Sequence, residues 1–243
     1  MKKILVITDN ELIYTIFLKV VQDKGLLENF NFDYAFSSNK KRVGNISKSY
    51  DLKISNHIKF ILENYNLVLS LHCKQIFPSI LINNIKCINI HPGFNPYNRG
   101  YFPHIFSIIN KLPSGVTIHE MNENIDCGNI IAQEQIIIES FDTSESVYNK
   151  IVLLEKKLIE QNIVPILENS YKPIACQNDG NMNYRKDFDN LCKINLDEIT
   201  TYREVIDKFR ALTHKNHSNV YFLDNKGRKI YLKIELTLEG DNT

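Results

Sequence analysis

The segment KILVIT at 3–8 is an unbroken apolar run in a chain of 243 residues, 23% of them charged. A strand that is apolar at every position needs a covering layer on both faces, which a parallel sheet flanked by helices supplies. Leu12, Ile16 and Val20 then recur at helical spacing and end at Gly25, a common helix stop. A weakly alternating strand at 31–36, a helix marked by Ile54, Ile58, Ile61 and Tyr65, and an apolar strand at 67–72 continue a βαβαβ rhythm. The chain is therefore expected to be α/β with a mostly parallel central sheet. Nine Gly and seven Pro are too few for a turn-dense sandwich or barrel, since the two together usually make up about 12% of a chain.

Farther along, the strand at 86–90 stops at His91 and Pro92, because proline cannot donate to a ladder. A short helix at 103–111 and strands at 115–121 and 129–138 follow. Val147, Ile151, Leu154 and Leu158 mark a long helix, and Asp142 with Glu145 three residues on has the pattern of its cap. From 171 to 189 the chain turns polar and irregular. This divides a main domain at 1–190 from a small C-terminal region at 191–243, where a helix at 205–212 and a hairpin turning at 224–227 are expected.

Lys plus Arg is 29 against 28 Asp plus Glu, which lacks the basic surplus of a phosphate-backbone binder. The first residues, MKKILVITDN, hold too short an apolar run for a leader, and no run approaches the roughly 20 residues of a membrane span. Neither a nucleic-acid nor a membrane partner is expected. Five cysteines without paired spacing suit reduced thiols in a cytoplasm, and no His/Cys spacing suggests a metal site. Thr8, Asp9, Asn10 and Glu11 follow the first strand without a glycine. A dinucleotide needs glycine there for close backbone approach, so no nicotinamide or flavin is expected.

Two blocks carry chemistry. In CINIHPGFNPYNRGYFP at 87–103, Asn89 and His91 are two apart on a strand and project to the same side. An amide donates to a developing oxyanion, and an imidazole moves a proton near neutral pH; acyl transfer to an amine uses both. By spacing alone, a polar strand end with a hydrogen-bonded histidine is the simpler reading. In GVTIHEMNENIDCGNII at 115–131, His119 lies on a strand and Asp126 in a loop closed by Gly128. A carboxylate there can orient His91, although a turn in which Asp126 bonds its own backbone is the simpler reading of that block by itself.

Together, Asn-x-His-Pro, Gly-Val-Thr-x-His and Asp-x-Gly-x-Ile-Ile resemble the formyltransferases that use 10-formyltetrahydrofolate. The catalytic triad of that family falls on Asn89, His91 and Asp126. Gly93 stands where much of the family has Ser. With SLHCKQIFP at 70–78, PGFNPYNRGYFP at 92–103, FRALT at 209–213 and Tyr221-Phe222, it makes the chain similar to the nucleotide-sugar N-formyltransferases. The nearest branch acts on dTDP-4-amino-4,6-dideoxyglucose for O-antigen or lipopolysaccharide sugars. The likeness is weakest between 25 and 50.

This resemblance implies a Rossmann-like formyltransferase fold with a small C-terminal helix and hairpin, a cytoplasmic homodimer, and 10-formyltetrahydrofolate as donor. It implies donor contacts at Gln75, Ile76, Phe77, His119 and Asp126. Sugar-nucleotide contacts are implied at Asn10, Lys74, Gly93, Asn95, Tyr97, Asn98, Arg99, Tyr101, Tyr184, Phe188, Arg210 and Tyr221. Among these, Lys74, Arg99 and Arg210 suit a diphosphate. Tyr184, Phe188 and Tyr221 suit a base or sugar ring. In the implied reaction the sugar amine attacks the formyl carbon. Asn89 donates to the oxyanion, His91 shares that role or moves the proton, and Asp126 fixes His91 and helps deprotonate the amine.

The alternatives are formylation of a dTDP-3-amino-3,6-dideoxyhexose and a non-catalytic nucleotide-sugar-binding protein, the latter disfavoured by a complete triad. A formyltetrahydrofolate hydrolase would carry an N-terminal regulatory domain, whereas here the catalytic fold starts at Lys3. A methionyl-tRNA formyltransferase would need a larger C-terminal domain and a basic face. A purine-pathway transformylase gives no reason for the HCKQ and PYNRGYFP blocks.

Overall fold

Along β1 (Lys2–Thr8) the buried side chains alternate: Ile4 and Val6 join one apolar layer, Leu5 and Ile7 the other. Covering both faces is what makes the run continuously apolar, and each such side chain contributes about 1.5–3 kcal/mol by burial. The computed structural model describes residues 1–36, 53–176, 180–215 and 217–240. Residues 37–52, in the stretch of weakest resemblance, and 177–179, in the polar join, lie outside the described residues.

In chain order the main elements are α1 (Glu11–Asp23), β2 (Phe30–Ala35), α2 (Ile58–Asn64), β3 (Leu67–Leu71), α3 (Ser79–Ile82) and β4 (Cys87–His91). Then come β5 (Arg99–Gly100), α4 (Pro103–Asn110), β6 (Ser114–Glu120), β7 (Ile130–Ile136) and α5 (Ser144–Glu168). The remainder is β8 (Met182–Asn183), α6 (Arg185–Cys192), α7 (Tyr202–Leu212), β9 (Thr213–His214), β10 (His217–Ser218), β11 (Tyr221–Leu223) and β12 (Lys229–Tyr231). The sheet order is β2-β1-β3-β4-β6-β7, parallel from β2 through β4 and antiparallel at β6 and β7. Helices α1, α4 and α5 supply the apolar layer on one face, and α2 and α3 cover the other. The chain leaves β1 for β2 on one side and later returns to β3 on the other. A crevice outside the carboxyl ends at such a reversal is where open α/β sheets bind ligands.

Three expectations are corrected. The cap of α5 is Thr143 with Ser146, not Asp142 with Glu145; the Thr143 N–H donates to Ser146 Oγ at 3.0 Å. The Asp142 carboxylate instead accepts from Glu139 N–H, Ser146 Oγ–H and Lys150. The join at 171–189 is not wholly irregular: β8 lies inside it and α6 begins there, running on to Cys192. A two-residue strand leaves no periodicity to read. The C-terminal hairpin turns as expected, but β12 ends at Tyr231, opposite Tyr221. Among the described residues no helix is long and apolar enough to cross a membrane.

Candidate active site

The antiparallel register of β4 with β6 sets Asn89 opposite His119 and His91 opposite Thr117, and directly opposed residues share a face of the sheet. Asn89 Nδ2 donates to His119 Nε2 at 3.3 Å and to Asp126 Oδ1 at 3.2 Å. His119 Nδ1 donates to the carbonyl of Glu120 at 2.7 Å, so its Nε2 is bare and can accept from Asn89. Asp126 Oδ1 also stands 3.6 Å from both His91 Nδ1 and His119 Nε2, while Oδ2 accepts the Gly100 N–H at 3.2 Å. The carboxylate that joins them sits on left-handed backbone, φ +52°, a conformation Asp tolerates better than most residues and one that clusters at active sites.

Burial pushes the His91 imidazole down to about 4, opposed by Asp126 and reinforced by His119 and His72. For Asp126, burial pulls upward but His91, His119 and the Gly100 N–H outweigh it, holding the carboxyl well below its usual range. At neutral pH the pair is thus a neutral imidazole beside a carboxylate. The proton of the ring belongs on Nδ1, facing the anion, which leaves a lone pair on Nε2. Nε2 is buried and meets no hydrogen-bond partner among the described residues. A Cβ on Gly93 would lie 2.3 Å from it. A side chain at 93 would press on the imidazole unless the ring shifts.

The loop after β4 is tied to β6. Thr117 Oγ donates to Gly93 O at 2.7 Å and accepts the Asn95 N–H at 3.0 Å, while Gln133 donates to Asn95 O at 2.7 Å. The Asn95 side-chain amide is itself buried without a partner among the described residues.

A second imidazole–carboxylate pair escaped the sequence reading. His72, at φ +57°, donates from Nε2 to Glu155 Oε1 at 2.6 Å and accepts at Nδ1 from Asn10 Nδ2 at 3.0 Å. Asn10 caps α1 through its Oδ1 and also donates to Tyr148 Oη at 2.8 Å. The signal was Glu155 itself, four residues after Ile151 on the apolar stripe of α5 and fully buried.

The structure places the other expected ligand residues as follows. The Asn10 amide is fully engaged as just described. Asn98 is fully buried among Ser107, Asn110, Asn181 and Asn183. Arg99 turns its guanidinium onto Ile125 O, Cys127 Sγ and Gly180 O. Arg210 is buried against Asp207 and the carbonyls of Glu139 and Asp142. Phe188 is core, its ring 4.5 Å from that of Phe102. Tyr221 lies in the C-terminal hairpin, with Lys229 Nζ 4.2 Å from its ring centre and Tyr231 beside it. The Phe77 side chain is also core and Gln75 Oε1 accepts the Ile54 N–H, whereas Ile76 is 76% exposed. Lys74 is exposed and Tyr97 half-buried. Tyr101 and Tyr184, 47% and 55% exposed, directly follow the paired residues Gly100 and Asn183.

With this geometry in hand, comparison with known proteins is informative. The formyl transferase family model matches residues 37–163, and the N-formyltransferase dimerization C-terminal domain matches residues 187–238. A dTDP-4-amino-4,6-dideoxyglucose formyltransferase of Mycobacterium tuberculosis (strain H37Rv) is 44% identical over 186 residues, covering 76% of this chain and 80% of that protein. A 4-N formyltransferase from Francisella tularensis has 41% identity and a TM-score of 0.89, with 98% of each chain covered. A sugar 3N-formyl transferase, solved with dTDP and 5-N-formyl-tetrahydrofolate, has 27% identity and a TM-score of 0.71, covering 93% of this chain and 84% of that one.

Proposed function

The chain belongs to the formyl transferase family, and from that premise we propose that it moves a formyl group from 10-formyltetrahydrofolate to the amine of dTDP-4-amino-4,6-dideoxyglucose. One observation carries the reading. His91 Nδ1 and Asn89 Nδ2 converge on Asp126 Oδ1, at 3.6 and 3.2 Å, while His91 Nε2 is left without a partner among the described residues.

In the proposed step the sugar amine attacks the formyl carbon. A C–N bond to the sugar forms, the C–N bond to the donor breaks, and one proton passes from the amine to the donor nitrogen. His91 Nε2 takes and returns that proton, and Asp126 stabilises the imidazolium through Nδ1. Negative charge on the formyl oxygen calls for a donor. Asn89 serves once it exchanges its bond to Asp126 or His119, both longer than 3.1 Å, for the stronger bond to an oxyanion.

The donor is placed against His119, Asp126 and the backbone at 75–77. The sugar nucleotide is placed against Lys74, Gly93, Asn95, Tyr97, Tyr101 and Tyr184. The 4-amine is favoured because the relatives at 44% and 41% identity are named for it, against 27% for the 3-amine enzyme. A homodimer through the C-terminal region is supported by the dimerization domain matched there. A cytoplasmic setting is supported by five cysteines without paired spacing.

Incubation with both substrates, followed by mass spectrometry, tests the reading. The expected result is formamido sugar in equal amount to tetrahydrofolate. Formate with unchanged amino sugar, or no turnover, would contradict it.

A further inference from the structure

Asp126 is gripped by a segment whose own anchor lies elsewhere in the chain. The Gly100 N–H donates to Asp126 Oδ2 at 3.2 Å, and Arg99 reaches Ile125 O and Cys127 Sγ on either side of the carboxylate. These two residues are β5, which forms a two-stranded parallel sheet with β8. Arg99 N–H donates to Asn181 O at 3.1 Å and Tyr101 N–H to Asn183 O at 2.9 Å. A pair of two-residue strands has no stability of its own, so other groups must hold the register.

Asn98 is that group. Its Oδ1 accepts from Asn110 at 2.7 Å, Asn181 at 3.0 Å and Asn183 at 3.5 Å. Its Nδ2 donates to Ser107 Oγ at 3.2 Å, and its backbone N–H donates to Asn181 Oδ1 at 2.8 Å. A buried amide network satisfied in this way specifies one arrangement, because any other leaves polar groups unpaired. The contact is also tight. Gly100 has φ +85°, and a Cβ there would lie 2.6 Å from Asn183 O, so the two backbones approach this closely only with glycine.

We propose that this asparagine cluster is a latch through which residues 180–183, leading into α6, position the Asp126 carboxylate for catalysis. Asn98, Asn181 and Asn183 are positioning residues that act through the Gly100 N–H. The proposal rests on the reading of Asp126 as catalytic.

Asn181→Ala tests it, since Asn181 is half-buried and supplies two of the latch bonds. Asn110→Ala, at the exposed end of α4, is the milder companion should the first fail to fold. The expected result is a kcat lowered about tenfold, in line with a displacement of well under 1 Å, with KM for both substrates changed less than about twofold. In the same variant the Gly100 amide resonance should move and its hydrogen exchange accelerate about tenfold. A lowered melting temperature with kcat and the Gly100 amide unchanged would overturn the latch. Asp126→Asn is run in parallel. If it is inactive while the latch variants turn over normally, the latch alone fails; if it is active, the catalytic reading fails.

Discussion

Nδ1 of His91 stands 3.6 Å from Oδ1 of Asp126, and the far nitrogen of the same ring meets no partner among the described residues. A pair arranged this way acts as a unit. His91→Asn and Asp126→Asn should each lower kcat by about 10²–10³, and the double variant should be little worse than the poorer single one. Steady-state kinetics of the four proteins checks this. Fully additive losses would mean that the two residues work independently.

Gly93→Ala puts a methyl group where the ring of His91 lies, 2.3 Å from Nε2. The backbone there is not left-handed, so the penalty is steric and falls on the imidazole. Turnover should drop about tenfold to a hundredfold with sugar-nucleotide KM nearly unchanged. Wild-type turnover would show that the ring has room to spare.

Stability should fall on mild acidification. Burial, with His214 and His72 nearby, pushes His104 down to about 3, and His91 lies at about 4. Unfolded, both titrate near 6.5. Between these values the unfolded chain binds protons that the folded chain does not, so stability drops as pH falls from about 6.5 toward about 4. Each histidine contributes at most about 1.4 kcal/mol per pH unit. His214 is lowered too and acts in the same sense. Asp126, held low, keeps its contribution above the ordinary carboxylate range near 4 and loses it only below. Urea unfolding at neutral pH and near pH 5 measures the drop, and His104→Gln should remove a sizeable part of it. Equal wild-type stability at both pH values would contradict the assignment.

Arg210 is a structural residue on this account. It satisfies the carbonyls of Glu139 and Asp142 at 3.0 and 2.9 Å. Arg210→Ala leaves Asp142 O without this donor, while Glu139 O keeps the Asp142 N–H at 3.1 Å, and should cost about 1–3 kcal/mol, with dTDP affinity by calorimetry unchanged in the folded protein. A tenfold weaker dTDP affinity without loss of stability would restore the phosphate role.

What could be read from residue order follows from range. Strands β1 and β3 were legible because burial on both faces removes polar residues, and Asn89 with His91 because a strand repeats every two residues. The β5–β8 pairing was not, since its strands are two residues long and Asn98 bonds Asn181 across 83 positions. Lys74, Arg99 and Arg210 look alike as cations. Only the fold shows that Arg99 and Arg210 face backbone carbonyls, whereas Lys74 is exposed. Glu155 was visible as a charge on an apolar stripe, but its partner His72 lies on another element.

The proposed specificity is tested most directly by kcat/KM for the 4-amino and 3-amino isomers of the dTDP-linked sugar, measured side by side with 10-formyltetrahydrofolate. With the nucleotide held, shifting the amine by one ring carbon moves the nucleophile beyond the roughly 3–3.5 Å approach that attack requires. The account predicts that the 4-amino isomer is the better substrate by about a hundredfold or more. An equal or higher value for the 3-amino isomer would contradict it.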